Sequence, residues 1–217
     1  MYKKKFFFIV FEGIEGSGKS YLSKKIYQKI KKIGLPVILT REPGGTKSAE
    51  IIRKIILKDY FLSNPKEEFD KYTDTLLYLA ARNEHIVNKI RPAIVRKKIL
   101  ICDRFIDSTF AYQVFGKGVK KNLIDSVHKH ILRGIKPDLT FVLTVKIPKA
   151  LLRLKKRKKK NRYDKFSRKF YIRAQKGFVK IAKKNKNKYR IFDNSKDNDV
   201  LEKTIFKIID SKLKKIK

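Results

Sequence analysis

The sequence has little of several residue types that mark particular classes of protein. It contains one cysteine, no tryptophan and three histidines, and only 20 of its 217 residues are acidic. The single cysteine, Cys102, excludes an internal disulfide and fits a reducing compartment. Because Cys102 lies in an apolar run, we expect a buried thiol. The histidines have no cysteine partners at the spacing of a metal site.

Long apolar runs are missing as well. No stretch approaches the roughly 20 apolar residues that a membrane helix needs, so no membrane partner is expected. Basic residues precede a short apolar run at the N-terminus, but no small-residue cleavage site follows it. We therefore expect no signal peptide and a cytoplasmic location.

The shortage of acidic residues leaves a large positive charge. Lysine and arginine number 57, and the formal net charge is +37. Such a charge is typical of proteins that bind nucleic acids. However, only 13 of the basic residues are arginines, and the lysines are spread along the whole chain. Because contact surfaces favour the planar fork of arginine, we expect no specific nucleic-acid partner, and a nucleic-acid-binding ATPase remains as an alternative.

The strongest pattern in the sequence lies near its N-terminus. Residues 6–11 are aromatic or aliphatic and uncharged, which is typical of a strand buried on both faces. A phosphate-loop pattern follows, and residues 21–32 are helical in pattern. We expect this loop to bind the phosphates of a nucleoside triphosphate, with Lys19 at the outer phosphates and the Ser20 hydroxyl as a Mg²⁺ ligand. The loop consists of Gly13, Ile14, Glu15, Gly16, Ser17, Gly18, Lys19 and Ser20.

Strands and helices alternate along the rest of the chain. Apolar runs predict further strands at residues 37–40, 98–103, 139–145 and 189–192. Helical patterns lie at residues 48–58, 70–95, 107–114, 121–132 and 199–213, with Pro92 interrupting the second and Pro148 opening another. The alternation predicts an α/β fold with a parallel five-stranded sheet between helices, which is a three-layer α/β/α arrangement.

Polar residues follow several of these strands. In a parallel sheet, ligands gather at the C-terminal ends of the strands, so the phosphate loop, Arg41, Asp103 and Arg104 should meet in one cleft. Asp103 suits a Mg²⁺ site, although a helix cap would give the same pattern. Arg41, Arg104 and the mid-helix Arg82 would let the cleft hold two polyanions, as a kinase for a phosphorylated acceptor must. Three surface arginines of a basic protein are the alternative.

Several motifs occur together in a specific order. They are the phosphate loop, Thr40-Arg41-Glu42-Pro43-Gly44-Gly45-Thr46, Leu79-Ala80-Ala81-Arg82, Asp103-Arg104-Phe105-x-x-Ser108-Thr109-x-Ala111-Tyr112-Gln113, Lys136-Pro137-Asp138-Leu139-Thr140 and Asn161-Arg162-Tyr163-Asp164-Lys165-Phe166. With them the chain resembles the thymidylate kinases over residues 6–192. The resemblance implies a P-loop NTPase-type fold, one nucleoside monophosphate kinase domain over residues 1–217 with a lid at about 150–166, and a homodimer. It also implies Mg²⁺-dependent transfer of the γ-phosphoryl group of ATP to dTMP, giving dTDP.

The resemblance assigns acceptor-site roles by position. Arg41 and Arg104 would bind the dTMP phosphate. Arg82 and Gln113 would hydrogen-bond the edge of the thymine base. These four residues come from three of the motifs, so the resemblance implies that distant parts of the chain form one acceptor site.

Three further residues would surround the nucleoside. Tyr78 would stack on the thymine, where the family usually has phenylalanine. Tyr112 would pack beside the sugar, where a ribose 2′-OH would sit, and so favour a deoxynucleotide. Ser108 would lie near the base or the phosphate.

In the family that the chain resembles, the arginine that reaches the transferring phosphoryl group comes from the phosphate loop or from the lid. Residues 14–17 of the loop contain no arginine, so the resemblance implies that the lid supplies it. The resemblance places Arg153, Arg157 and Arg162 in the lid, and Arg157 and Arg162 are the expected catalytic residues. Asp164, also in the lid, would help to place the metal.

Three glutamates near the loop have expected roles too. Glu15 would act near the metal and the acceptor phosphate, as both a catalytic residue and a metal ligand. Glu12 would brace the loop, and Glu42 would orient Arg41 or support the Mg²⁺ site. A related alternative stays open, namely another nucleoside monophosphate kinase or a deoxynucleoside kinase, in which Glu12 could act as a base.

Overall fold

A computed structural model describes residues 6–58, 67–157, 161–196 and 200–215. Five parallel strands form one sheet in the order β2-β3-β1-β4-β5. The strands are β1 Phe7–Glu12, β2 Val37–Arg41, β3 Ile99–Asp103, β4 Leu139–Thr144 and β5 Tyr189–Asp193. The parallel five-stranded sheet predicted from the sequence is therefore confirmed.

Helices connect the strands. They are α1 Lys19–Lys32, α2 Lys47–Leu57, α3 Lys71–His85, α4 Arg91–Val95, α5 Ile106–Thr109, α6 Lys121–Leu132, α7 Ile147–Lys155, α8 Arg168–Lys183 and α9 Val200–Lys215. A π-helical segment, Ile86–Ile90, joins α3 to α4, and a second, Phe110–Gly116, continues α5. Asp199, the expected first residue of the last helix, lies outside the described residues. Within the described ranges, no helix has the length and apolar character needed to cross a membrane.

The sheet separates two apolar layers. Phe7, Ile9 and Phe11 of β1 pack with the apolar faces of α1 and α9. The alternate residues Phe8 and Val10 pack on the opposite side, among residues of the α3–α4 region. Because both faces of the central strands are covered, their sequences are almost continuously apolar, as expected for a parallel sheet. The three-layer arrangement follows from this alternation.

The strand register aligns the polar strand ends. Asp103 pairs with Phe11 of β1 and with Arg41 of β2. The phosphate loop begins directly after β1, so the loop, Arg41 and Asp103 lie at the same edge of the sheet. The predicted cleft therefore has its expected position.

Candidate active site

A cleft of about 730 Å³ lies at the C-terminal edge of the sheet. This volume is ample for small-molecule ligands. The predicted site residues that line it are Glu15, Gly16, Gly18, Lys19, Ser20, Arg41, Tyr78, Arg82, Asp103, Arg104, Ser108, Tyr112, Gln113 and Arg157. Gly13, Ile14, Ser17, Arg162 and Asp164 are predicted site residues that are not among its lining residues.

The phosphate loop packs tightly against the end of β4 and the start of α7. Gly16 has φ +74°, and a Cβ atom there would lie 2.7 Å from the carbonyl oxygen of Ala150. Arg153 Nη1 donates to the Gly16 carbonyl at 2.7 Å, and Asn194 Nδ2 donates to the Ser17 carbonyl at 2.8 Å. Side chains from distant elements thus hold carbonyl groups of the loop, a bracing role for which the loop motif gives no sequence signal.

Lys19 is buried where the phosphate loop runs into α1, as the first residue of that helix. Its Nζ donates to the carbonyl oxygen of Ile14 at 2.8 Å. Burial lowers the pKa of Lys19 to about 8, and the Arg104 guanidinium adds to this effect while Asp103 and Glu15 oppose it. A bound polyphosphate would stabilise the protonated form, so the position of Lys19 fits the expected phosphate contact.

Two of the four expected metal ligands fit a Mg²⁺ site. The Ser20 hydroxyl contacts Asp103 Oδ2, while Asp103 Oδ1 is buried without a hydrogen-bond partner. Mg²⁺ in nucleotide sites takes one or two protein oxygens together with phosphates and waters, so this pair suits it. In the described part of the chain, no cluster of three or more His, Cys, Asp or Glu side chains could hold a metal.

The other two expected ligands are engaged elsewhere. Glu15 Oε1 accepts from Arg104 Nη2 at 2.7 Å, and Glu15 Oε2 accepts from the Tyr112 hydroxyl. Burial would raise the pKa of Glu15, but the charges of Arg104 and Lys19 outweigh burial and lower it. Asp164 accepts from Arg157 Nη1 at 3.0 Å within the expected lid. Their placement does not support metal binding by Glu15 or Asp164.

Arg104 joins the phosphate loop to the acceptor side of the cleft. Its Nη1 donates to the Gly13 carbonyl at 2.8 Å and to Ser108 Oγ at 3.2 Å. The guanidinium also lies over the Tyr112 ring, 5.1 Å from its centroid. A phosphate that approached Arg104 would therefore lie beside the loop, which is the arrangement that transfer between two phosphates requires.

Arg41 is held by Glu50, a residue for which the motifs gave no signal. Arg41 Nε and Nη2 both donate to Glu50 Oε1, at 3.2 and 3.0 Å. Glu42 does not contact Arg41 as expected: its carboxylate accepts from Arg82 Nε at 2.8 Å and lies 2.9 Å from His85 Nδ1. Burial would raise the pKa of Glu42, but Arg82 and His85 lower it. The expectation that Glu42 orients Arg41 was wrong.

Arg82 is nearly fully engaged by the protein. Besides Glu42, it donates to Thr109 Oγ1 at 2.7 Å, to the Phe105 carbonyl at 2.8 Å and to His128 Nε2 at 2.8 Å. Burial and the charge of Arg82 lower the pKa of His128 to about 3, so His128 is a neutral acceptor. Of the five N–H groups of arginine, one on Nη2 remains. The contact of Arg82 with thymine stays a prediction, and only this remaining N–H group on Nη2 could make it.

Three residues expected around the nucleoside contact one residue of the expected lid, Tyr163. Gln113 Nε2 donates to the Tyr163 hydroxyl at 3.3 Å. The rings of Tyr78 and Tyr112 each pack edge-to-face on Tyr163, with centroids 5.9 Å away. Burial raises the pKa of Tyr78. Tyr163 was quoted in the sequence motif without a role, because its contacts lie far away in sequence.

Glu12 braces the turn after β3. Its carboxylate accepts from the Phe105 N–H at 2.8 Å, from the Ser108 N–H at 3.2 Å and from the Ser108 hydroxyl at 2.6 Å. Burial and the neighbouring Asp107 carboxyl raise the pKa of Glu12 to about 8, and burial raises the pKa of Asp107 to about 6. Glu12 thus braces the turn after β3 rather than the phosphate loop, where its bracing role was expected, and its engaged oxygens do not favour a role as a base.

The raised pKa values predict a pH dependence of stability. Between about pH 4.5, the ordinary value for glutamate, and about pH 8, the folded chain binds more protons at Glu12 than the unfolded chain does. The contribution of Glu12 to the free energy of unfolding therefore falls as the pH rises through this window. We expect the Asp107→Asn variant, which lacks the neighbouring carboxyl, to lose less stability between pH 5.5 and 8.5, by about 1 kcal/mol or more. Urea unfolding at both pH values measures this, with Asp125→Asn at an exposed site as the control. An equal loss in Asp107→Asn and the control would contradict the interaction.

The two expected catalytic arginines of the lid lie in different places. Arg157 lines the cleft, and 43% of its side chain is exposed. Arg162 does not line the cleft. Its guanidinium instead contacts Asp74 and donates to the Ile56 carbonyl. Placement therefore favours Arg157 over Arg162. Residues 158–160 of the expected lid lie outside the described residues.

Comparison with known proteins agrees with this geometry. Residues 11–205 match the family model described as thymidylate kinase. A thymidylate kinase of Mycoplasma capricolum is 37% identical over 209 residues, which is 95% of this chain and 96% of that protein. One of Wolbachia pipientis is 42% identical over 212 residues, with 95% and 97% covered. The crystal structure of thymidylate kinase from Ehrlichia chaffeensis superposes with a TM-score of 0.75 at 33% identity, covering 95% of this chain and 99% of that one.

Proposed function

The chain belongs to the thymidylate kinase family, and we propose that its cleft carries out the family reaction with the phosphate loop as the donor site and Arg41 and Arg104 as the acceptor site. The reaction is phosphorylation of dTMP with ATP as the donor. The observation that carries the assignment is Arg104, which contacts the loop through Gly13 and faces the acceptor side through Ser108 and Tyr112.

The chemistry that these residues must supply is positioning and charge neutralisation. The acceptor phosphate of dTMP is largely ionised at neutral pH, so in-line attack on the γ-phosphorus needs no general base. Lys19 would bind the outer phosphates of ATP, and Arg104 would hold the acceptor phosphate against their repulsion. Arg157 would add its charge from the lid when the lid covers the substrates.

A Mg²⁺ ion is part of this proposal. Ser20 and Asp103 would hold it, because Asp103 Oδ1 is a buried oxygen without a protein partner. The ion would offset phosphate charge during transfer. We also propose that residues 1–217 act as one nucleoside monophosphate kinase domain with residues 150–166 as its lid, and that the enzyme is cytoplasmic.

An acceptor panel tests the proposed function. Release of ADP is measured with dTMP, dUMP, UMP, AMP, GMP and thymidine as acceptors, and we expect dTMP to give the highest kcat/KM. A preference for AMP or for thymidine would defeat the assignment in favour of a related kinase. ATP hydrolysis that DNA stimulates and that needs no monophosphate would instead support the nucleic-acid-binding ATPase.

The expected homodimer has a candidate surface on α2 and α3. Large apolar side chains are exposed there, namely Ile51 and Ile55 on α2 and Leu76 on α3, with Ile51 62% exposed. Apolar side chains grouped on neighbouring helices are typical of surfaces that another chain covers. We therefore propose that two copies pack through these helices. Sedimentation measures the mass in solution. A wild type that sediments as a monomer, with a mass that Ile51→Glu does not change, would refute the proposal.

A further inference from the structure

Asp74 is a fully buried carboxylate to which the reaction described above gives no part. It lies in the first turn of α3 and has three donors from other parts of the chain. Arg162 Nη2 contacts Oδ1, the Tyr163 hydroxyl donates to Oδ2 at 2.8 Å, and Lys117 Nζ donates to Oδ2 at 2.9 Å. Arg162 and Tyr163 belong to the proposed lid, so Asp74 is the residue of α3 to which the side chains of this segment hydrogen-bond.

A buried ion pair of this kind is weak evidence for stability. Removing a carboxylate from water costs free energy that its ion pairs often only offset, and apolar side chains can fill such a site equally well. At Asp74, however, the hydrogen bonds also have a fixed donor and a fixed acceptor. Two cations, Arg162 and Lys117, contact the Asp74 carboxylate, and a carboxylate can only accept hydrogen bonds.

The direction of the hydrogen bonds at Asp74 also determines the hydrogen bond at Gln113 in the acceptor site. Because Asp74 can only accept, the Tyr163 hydroxyl must give its proton to Asp74. The Tyr163 oxygen is then left to accept, and it accepts from Gln113 Nε2 at 3.3 Å. This bond determines which end of the Gln113 amide faces Tyr163, and leaves the amide oxygen and one N–H for other partners. Gln113 is 1% exposed and lines the cleft.

We propose that Asp74 is a positioning residue that, through the Tyr163 hydroxyl, fixes the Gln113 amide so that its oxygen selects an acceptor base with an N3–H donor. Thymine and uracil carry a hydrogen on N3, whereas N3 of cytosine is an acceptor and would meet the amide oxygen without a proton between them. The inference rests on the proposed function, because it needs a pyrimidine monophosphate in the cleft. It also makes a residue of the proposed lid part of base selection, since Tyr163 contacts both Asp74 and Gln113.

Tyr163→Phe is the sharpest test, because it keeps the ring that packs on Tyr78 and Tyr112 and removes only the hydroxyl. We expect the ratio of kcat/KM for dTMP to kcat/KM for dCMP to fall about tenfold, the size of one lost hydrogen bond. The KM for ATP should stay within about twofold, because the phosphate loop is untouched. Tyr72→Phe, on the same helix as Asp74, is the matched control and should leave the ratio unchanged.

Asp74→Asn is the second variant. An amide can donate as well as accept, so it would no longer fix the Tyr163 proton, and the ratio should fall in the same way. Should this variant not fold, Tyr163→Phe decides alone. A wild type that selects dTMP and a Tyr163→Phe variant that keeps the full ratio would overturn the inference and leave the proposed function intact. A wild type that fails to phosphorylate dTMP would overturn both.

Discussion

Replacing Lys19 with alanine is expected to lower kcat by about 10³-fold or more. Lys19 is the buried cation of the phosphate loop, and Arg153 and Asn194 hold two carbonyl groups of that loop. Removing its charge leaves Glu15 and Asp103 facing the phosphates with less positive charge to offset them. No neighbouring lysine can take its place, because the remaining α1 lysines follow the loop on later turns.

The measurement is steady-state phosphorylation of dTMP by ATP, with the folded state checked by thermal unfolding. Lys24→Ala, at an exposed position of the same helix, is the control and should keep wild-type turnover. Activity of Lys19→Ala within a few-fold of wild type would remove the loop from the catalytic site. Loss of the folded state in Lys19→Ala would instead call for Lys19→Met, which keeps most of the buried side chain.

The fold could be predicted largely from local sequence because both faces of the sheet are covered. Each strand is then an apolar run that stands out from its neighbours, and all five expected strands are present, each end lying at or next to the expected residue. Helix α8, Arg168–Lys183, was not predicted. Its buried residues Phe170, Ala174, Phe178 and Ala182 recur every four positions, but the basic residues between them hid the pattern.

The two π-helical segments could not be predicted either. A π-helical turn shifts the hydrogen-bond pattern by one residue and leaves no distinct composition. Residues 70–95 were expected to be helical with an interruption at Pro92. In the structure, Ile86–Ile90 is π-helical and Pro92 lies in the first turn of α4, where a proline is tolerated.

The site shows the same difference between local patterns, which could be predicted, and contacts between distant residues, which could not. The phosphate loop is a continuous stretch, so its residues were recognised together. The partners that hold the arginines are distant in sequence: Arg41 and Glu50 are nine residues apart, Arg82 and Glu42 are 40 apart, and Arg162 and Asp74 are 88 apart. Only the folded chain shows these pairs. The motifs therefore identified which arginines matter, but not which of their N–H groups remain for a ligand.

The partners of an arginine matter most in the proposed lid, where Arg157 and Arg162 were equal candidates by sequence. Arg157→Ala is expected to lower kcat by about 10³-fold. Arg157 lies two residues after the end of α7 and lines the cleft, and its only described side-chain partner is Asp164 of the proposed lid. Because its charge is needed as negative charge moves onto the transferring phosphoryl group, the dissociation constant for ATP should change far less than kcat.

Single-turnover kinetics and a separate titration with ATP distinguish these two quantities. Arg168→Ala, at an exposed arginine at the start of α8, is the matched control and should leave both unchanged. Arg157→Lys should recover only part of the rate, because an ammonium group lacks the planar fork that binds two phosphate oxygens. If Arg157→Ala retains wild-type turnover while Arg153→Ala loses it, the transferring phosphoryl group is reached from the loop-bracing position instead. Asp164 would then only shape the lid, since its carboxylate would no longer hold the arginine on which transfer depends.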